Sequence, residues 1–432
     1  MVGIERHGQV FPILLVNFIG TLGFSIVLPF LVFLVRDFGG NAIVYGVLGA
    51  TYSAFQLIGA PILGKWSDVY GRKKILLLSN FGTLIGWIFF LIALFLPVEK
   101  LTLDTVLFGS IVISLPLLVL FFARAIDGIT GGNISVANAY LADISSDETR
   151  SRNFGKMAIS ANLGFILGPA IAGILGGTIY GVILPVLAAL LLSLITLIVI
   201  VFRLKESRPT SPEILVPEEG SIRKVFAQEC KDCYGNENSK KLKFRDVFKL
   251  EYIPYLLVLY FLIFLGFNVY YASFPIHAAN DLKWSITQLG IFYAVLSGVM
   301  VLIQGPVLRK ALKKFSEEKL VIIGSIILGT NFILFVFNNI ITVYAAVILF
   351  AVGNGLMWPS FMSILANRAG TAFQGSVQGV AGSFGGLASI IGLILGGFLY
   401  SLVGAATFLV SAGVIFTVFI MSFRLLKMRS ID

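Results

Sequence analysis

Arg124 and Asp127 stand three residues apart inside the apolar stretch 112–141. At helical spacing they share one face. Ionisable groups deep in an apolar span normally meet each other or a cavity. The pair supports one of two chemistries. Asp127 is a proton carrier whose proton affinity is set by burial and by the Arg124 charge, or the two residues form a permanently satisfied ion pair. Asp127 is the one acid that falls inside an expected membrane helix, so a proton crossing here has few other carriers. A second charged group is Gly64-Lys65-Trp66-Ser67-Asp68-Val69-Tyr70-Gly71-Arg72-Lys73-Lys74. It reads as a loop after the second apolar span. Gly71 permits a tight turn, Asp68 and Arg72 are close enough to pair, and three consecutive cations hold the loop on the inner face. Other chemistry finds no footing. No His-rich metal cluster, no paired helical acids and no Ser–His arrangement occur at catalytic spacing. The expectation is a protein that is not an enzyme and holds neither metal nor cofactor. Cys230 and Cys233 form a Cys-x-x-Cys without a second pair or a nearby His, so two reduced cytosolic thiols is the plain reading beside a metal or redox one.

The elements that must position these residues follow from composition. The chain has 432 residues, 57% hydrophobic and 12% charged, with a mean hydropathy of +0.95. Soluble globular chains are about one quarter charged, so too little polar surface remains to cover a water-soluble body. The charges cluster between apolar runs of membrane-spanning length. Twelve helices are expected, at 10–35, 43–63, 75–96, 112–141, 154–180, 182–202, 253–276, 287–307, 319–338, 341–365, 375–400 and 404–423. With both termini cytoplasmic, 28 of the 32 Lys and Arg residues fall inside. Arg36, Lys100 and Lys283 fall outside, and Arg124 lies within a helix. That skew is the positive-inside rule, and it accounts for the net charge of +10 without nucleic acid. The first span lacks a small-residue cleavage site at its end, so no cleavable signal peptide is expected.

The chain divides into a six-helix half at 1–203, a cytoplasmic linker loop at 204–250 and a second six-helix half at 251–432. Ser207 to Gly220 reads as flexible linker. Phe244, Val247, Phe248 and Leu250 recur at helical spacing among Lys243, Arg245 and Lys249, which reads as a short amphipathic helix on the inner membrane surface or as a solvated loop. Gly46, Ala50 and Ser53 share their spacing with Gly290, Ala294 and Ser297, a faint echo of a parallel repeat. Glycines crowd the fifth span (Gly164, Gly168, Gly173, Gly176, Gly177) and the eleventh (Gly375 to Gly397). Both spans should pack closely on neighbours, as static contacts or as bends that flex.

The Gly64–Lys74 segment resembles the signature loop of the major facilitator superfamily, Gly-x-x-x-Asp-x-x-Gly-Arg-Lys, with Val69 where a basic residue is common. The resemblance implies an all-α membrane fold of twelve helices in two six-helix pseudo-repeats. It also implies that Asp68 and Arg72, with Asp143 at the end of the fourth span, latch one conformational state. Arg124-Ala125-Ile126-Asp127-Gly128 resembles the family's Arg-x-x-Gln-Gly motif, with Asp127 in the Gln place. Gly155, Gly164, Gly168-Pro169, Ala172 and Gly173 resemble the antiporter motif of the drug–proton antiporter branch, implying a kinked helix with a flat small-residue face against the other half. Asp127-Gly128-Ile129-Thr130-Gly131-Gly132, Ala139 to Ile144, and Gln374 to Gly379 look like the tetracycline-exporter group. Two departures bear on substrate. Gly20 stands where relatives often have an acid, and the third span has none. A long stretch between spans three and four, with Glu99, Lys100 and Asp104, should form an outer loop.

Polar and aromatic residues inside apolar spans point to a binding cavity or to interhelical hydrogen bonds. In the first half these are Asn17, Asn133, Asn138 and Asn162. In the second they are Asn268, Tyr270, Tyr271, Gln304, Asn331, Asn354, Trp358 and Gln378. His277, near the end of the seventh span, reads as an interface residue or a pH-sensing one. The expected activity is alternating access, most simply proton-coupled antiport (efflux) of a small amphipathic organic compound. Symport or facilitated transport of a nutrient, metabolite or lipid in the same fold is the alternative. The expected setting is a multi-pass protein of a cell (inner) membrane, in contact with lipid and monomeric. The two cysteines test the sidedness directly. A membrane-impermeant maleimide should label inverted vesicles and leave intact cells unlabelled; the reverse pattern would invert the topology.

Overall fold

The computed structural model describes residues 8–105, 109–207, 244–337 and 339–428. Cys230, Cys233 and nearly all of the expected flexible linker therefore lie outside the described residues. The chain is all-α apart from one pair of short strands. The helices are α1 (Val10–Ser25), α2 (Leu31–Asp37), α3 (Ala42–Tyr70), α4 (Arg72–Ala93), α5 (Leu115–Ile129), α6 (Asn133–Ile144), α7 (Asp147–Gly176), α8 (Ile183–Arg203), α9 (Phe244–Val247), α10 (Ile253–Asn280), α11 (Ile286–Leu302), α12 (Leu308–Ala311), α13 (Glu317–Leu334), α14 (Ile340–Val403) and α15 (Thr407–Met428). Among the described residues, nine helical stretches are long and apolar enough to cross a membrane. Each of the twelve expected spans falls largely on helix.

Several boundaries differ from expectation, each for a local reason. The first span breaks into α1 and α2, because Pro29 has no N–H to continue the ladder and disfavours helix before it. The second and third spans are longer, so the expected loop shrinks to Gly71 alone, which turns the chain at φ 103°. The stretch between spans three and four is not an open loop. Lys100–Thr105 (β1) and Gly109–Ser114 (β2) pair as a two-stranded sheet, and the three residues between them are too few for a parallel crossover. The fourth span accordingly starts at Leu115, and it is interrupted at Thr130-Gly131-Gly132. The eighth span loosens into a π-helical turn at Ile303–Val307, which contains Pro306. In α14 the tenth and eleventh spans meet at Gly370, whose φ of 67° makes the bend. The amphipathic segment is a single helical turn, α9, with Val247 buried and Phe248 against Phe384 at 6.0 Å between ring centroids.

The chain forms two compact units: 1–30, 54–99 and 114–236, then 31–53, 100–113 and 237–432. In the first, α7 packs on α1. A Cβ on Gly164 would lie 2.8 Å from the Phe18 carbonyl, and one on Gly168 would lie 2.8 Å from the Leu22 carbonyl. These two motif glycines thus serve a close contact with α1 in their own unit. Gly155 meets nothing within 4 Å, and Pro169 sits within the helix. Ser25 Oγ adds a bond to the Gly164 carbonyl at 2.9 Å.

The second unit is centred on aromatics. Tyr270 of α10 is fully buried, with the rings of Phe274, Phe332, Phe335 and Phe350 at 5.1–5.4 Å. Tyr270 thus sits within an aromatic core. The glycines of α14 lie against α10: a Cβ added at Gly385, Gly392 or Gly396 would come within 2.7 Å of Tyr260, Asn268 or Ala272 respectively, too close to fit without a shift. Lipid offers no hydrophobic drive for helices to associate, so close backbone approach supplies the dispersion contacts. In this unit one of the tightest approaches is at Gly46 of α3, which lies against the Leu393 carbonyl and whose added Cβ would also come 3.1 Å from Gly397 Cα. Gly46→Ala should cost about 1–3 kcal/mol through overpacking and lower the thermal unfolding midpoint in detergent. Gly49→Ala, one turn on with its nearest contact at 3.5 Å, should be close to neutral.

Candidate functional site

The interruption of the fourth span places the acid. Gly131 and Gly132 have poor helix propensity, and the break frees backbone carbonyls that lipid cannot satisfy. Neighbouring helices satisfy them. Ser79 Oγ of α4 donates to the Thr130 carbonyl, and Gln56 Nε2 of α3 donates to that of Gly131 at 3.2 Å. Thr130 Oγ1 turns back to the Ile126 carbonyl at 2.7 Å. Glycines let the helices close in. A Cβ on Gly59 would lie 2.8 Å from Ile129 Cα, and one on Gly132 would lie 2.8 Å from Leu63 Cβ.

One turn before the break, Asp127 has two partners. Arg124 Nη1 lies 3.7 Å from Oδ2, and Thr83 Oγ1 of α4 donates to Oδ1 at 2.9 Å. Gly86, one turn after Thr83, leaves room for the acid, since a Cβ there would lie 3.3 Å from Asp127 Cβ. At 3.7 Å the guanidinium attracts the carboxylate but makes no well-formed hydrogen bond. The short bond comes from Thr83, a neutral group that can also accept. Thr83 is a functional candidate the sequence reading missed, because nothing in the spacing ties position 83 to 127.

The second constellation joins the ends of α3, α4, α6 and α8. Arg72 is buried and reaches Asp68 Oδ1 at 2.5 Å, Asp143 Oδ2 at 3.0 Å and Ser67 Oγ at 2.5 Å. Asp68, Arg72 and Asp143 thus meet as the resemblance implied. Gly71 is required twice over: its φ is left-handed, and a Cβ would lie 2.8 Å from Glu206 Cδ. Gly64 has open space around it and serves through its carbonyl, which accepts from Ser67 Oγ at 2.7 Å.

Glu206 was not foreseen. Its carboxylate accepts from the backbone N–H of Arg72 at 2.7 Å and of Lys73 at 3.1 Å, so a residue beyond α8 caps the N-terminus of α4. Lys73 Nζ answers at the Val201 carbonyl, 2.9 Å away near the C-terminal end of α8. Ser207 Oγ donates to Asp143 at 3.1 Å, and Tyr140 OH to the Lys205 carbonyl at 2.7 Å. The only signal in the sequence was a Glu-Ser just past an apolar span.

The broken fourth span, the intramembrane ion pair and the charged turn at Gly71 coincide with a match to the Major Facilitator Superfamily model over residues 13–392 and 256–430. The chain belongs to this superfamily. It is a multi-pass integral membrane protein with a secondary-transport fold. A class E tetracycline resistance protein of Escherichia coli is 30% identical over 90% of this chain and 87% of its own length. Multidrug resistance protein 2 of Bacillus subtilis (strain 168) is 27% identical over 92% and 90%. Two solved structures share the fold: a human organic anion transporter, with a TM-score of 0.66, 21% identity and coverage of 96% and 99%, and a D-xylose–proton symporter, with 0.69, 15%, 94% and 97%.

The expected binding residues of this superfamily member fall into distinct surroundings. Asn17 is buried, its amide bonded to the Met157 carbonyl at 3.2 Å and to Ser160 Oγ at 2.8 Å. Asn268 bonds to the Phe264 carbonyl at 2.8 Å and to Ser389 Oγ at 3.0 Å. Asn354 points its amide at Met300 Sδ, 3.6 Å away. Asn331 is fully buried with neither amide atom partnered among the described residues. Trp358 joins Tyr260 and Phe264 of α10, each at 5.4 Å, in an aromatic group with Phe361. Tyr271 lies beside Phe267 and Tyr270, Gln304 sits in the π turn, and Asn162 and Gln378 are exposed. Asn138 is half-buried, while the side chains of Asn133 and Gln374 lie outside the described residues.

The Glu206 cap carries its own test. Glu206→Ala should destabilise the detergent-solubilised protein by about 1 kcal/mol, within the range of lost helix caps, and Glu206→Gln should recover much of that by keeping an acceptor. Equal loss in both variants would assign the effect to charge rather than capping.

Proposed function

We propose that the chain is a proton-coupled antiporter that exports a small amphipathic organic compound by alternating access, with Asp127 as the proton carrier. The observation that supports this most is the looseness of the Asp127–Arg124 pair. A permanent structural bridge in lipid would be expected to close to bidentate hydrogen-bond distance, because unpaired charge there is costly. Here Arg124 stays at 3.7 Å while a hydroxyl makes the short contact. Such a carboxylate can gain a proton without breaking a strong bond, and Thr83 can then switch from donor to acceptor.

Protonation removes the Coulombic pull on Arg124 and leaves α5 free to shift at the Thr130–Gly132 break. A cationic or polarised substrate and the proton then compete for one negative charge, which is the requirement for exchange. Asp68, Arg72 and Asp143, extended by Ser67, Ser207 and Glu206, act as a latch that holds α3, α4, α6 and α8 in one state and releases them in another. The resistance proteins among the relatives support an export direction, and the aromatic group around Trp358 suits an amphipathic solute.

In proteoliposomes with an imposed pH gradient, lipophilic cations should be driven uphill by the wild type. Asp127→Asn should abolish that uphill movement, by at least about tenfold, while binding survives. Gradient-driven transport intact in Asp127→Asn would return Arg124–Asp127 to a structural pair.

A further inference from the structure

The second unit contains a titratable cluster of its own, at the end of α10. His277, in the last turn of α10, is fully buried. Its Nδ1 lies 2.8 Å from Asp281 Oδ2 and 3.0 Å from the Tyr400 hydroxyl of α14, and Tyr400 also donates to Asp281 Oδ2. Asp281 sits just past α10, where its backbone N–H bonds to the His277 carbonyl at 2.9 Å, and its side chain is about one third exposed. On the other side of the imidazole, Nε2 is buried with no hydrogen-bond partner among the described residues, and Phe408 of α15 presents its ring at 5.3 Å.

The partners of the ring point to one tautomer. Nδ1 faces a carboxylate that already accepts from Tyr400, so Nδ1 carries a hydrogen and donates. Nε2 then keeps a bare lone pair, the one open basic position in the group. Among the described residues, no charged side chain of α14, α15 or α2 pairs with the imidazole. From α14 comes Tyr400, from α15 the uncharged Phe408, and α2 carries Arg36 and Asp37, which pair with each other at 3.7 Å. The site joins a buried base to a partly exposed carboxylate, so a charge gained by the ring has its counter-ion already in place.

We propose that His277, Asp281 and Tyr400 form a second proton-binding site, separate from Arg124–Asp127. The proton arrives on Nε2 and the Asp281 carboxylate supplies the counter-charge through Nδ1. The neutral His–Asp hydrogen bond becomes an ion pair, and with Tyr400 on the same oxygen the end of α10 is held more strongly to α14. Tyr400 is a positioning residue, fixing which carboxylate oxygen faces the ring.

The chain has two histidines, so the test can be made on one resonance. Full-length protein carrying ¹⁵N-histidine and His7→Gln is titrated by NMR from about pH 5 to about pH 9, the range across which histidine changes charge. The Nε2 signal should move from the position of a bare imidazole nitrogen to that of a protonated one, while Nδ1 stays protonated throughout. In Asp281→Asn the midpoint should fall, since the imidazolium loses its counter-charge, and Tyr400→Phe should leave a titration in place. A ring that keeps one tautomer across the range in the wild type would overturn the proposal and make the cluster a fixed tether. The readout needs no transport. Titration without gradient-driven transport would count against the antiport reading alone, and transport without titration against this site alone.

Discussion

A carboxylate in a hydrocarbon medium must be paid for by its neighbours, and the first unit is organised around that constraint. Asp127 has one distant cation and one close hydroxyl. To bring Thr83 within reach, α4 must lie against α5, which it does at Gly86. The same constraint governs the backbone beside it. The break after Ile129 leaves carbonyls that Gln56 and Ser79 must meet, so α3 and α4 are drawn in by polar contacts as well as by packing. Acid, break and small residues therefore form one arrangement, and changing any of them disturbs the others.

A different balance holds at the Gly71 turn. There Arg72 faces two carboxylates and a hydroxyl, while Glu206 occupies the helix end. Arg suits this role because its planar fork can serve several acceptors at once. Arg72 and Asp143 are buried, so parting them costs more than parting a surface pair, and a change of state must offer each group a new partner.

The sequence revealed the long elements because twenty apolar residues carry a clear signal, and it revealed Arg124 and Asp127 because charge within such a run stands out. It showed the Asp68–Arg72–Asp143 group through resemblance. What it hid were relations between distant positions. Thr83 to Asp127, Glu206 to Arg72 and Tyr400 to His277 join residues with no common periodicity. Local irregularities were partly hidden too. Gly131-Gly132 and Pro29 are plain in the sequence, but hydropathy averages over a one-turn break. The strands at 100–114 were lost for the opposite reason, since six-residue elements between long spans have too little weight to register.

The central claim is that Asp127 exchanges a proton against substrate. The most direct measurement is proton release on substrate binding, with purified protein in weakly buffered detergent and tetraphenylphosphonium as the probe. The account predicts release of up to about one proton from Asp127 per cation bound, lost in Asp127→Asn while the cation still binds. Tight binding with no release in the wild type, or release undiminished in the variant, would contradict it.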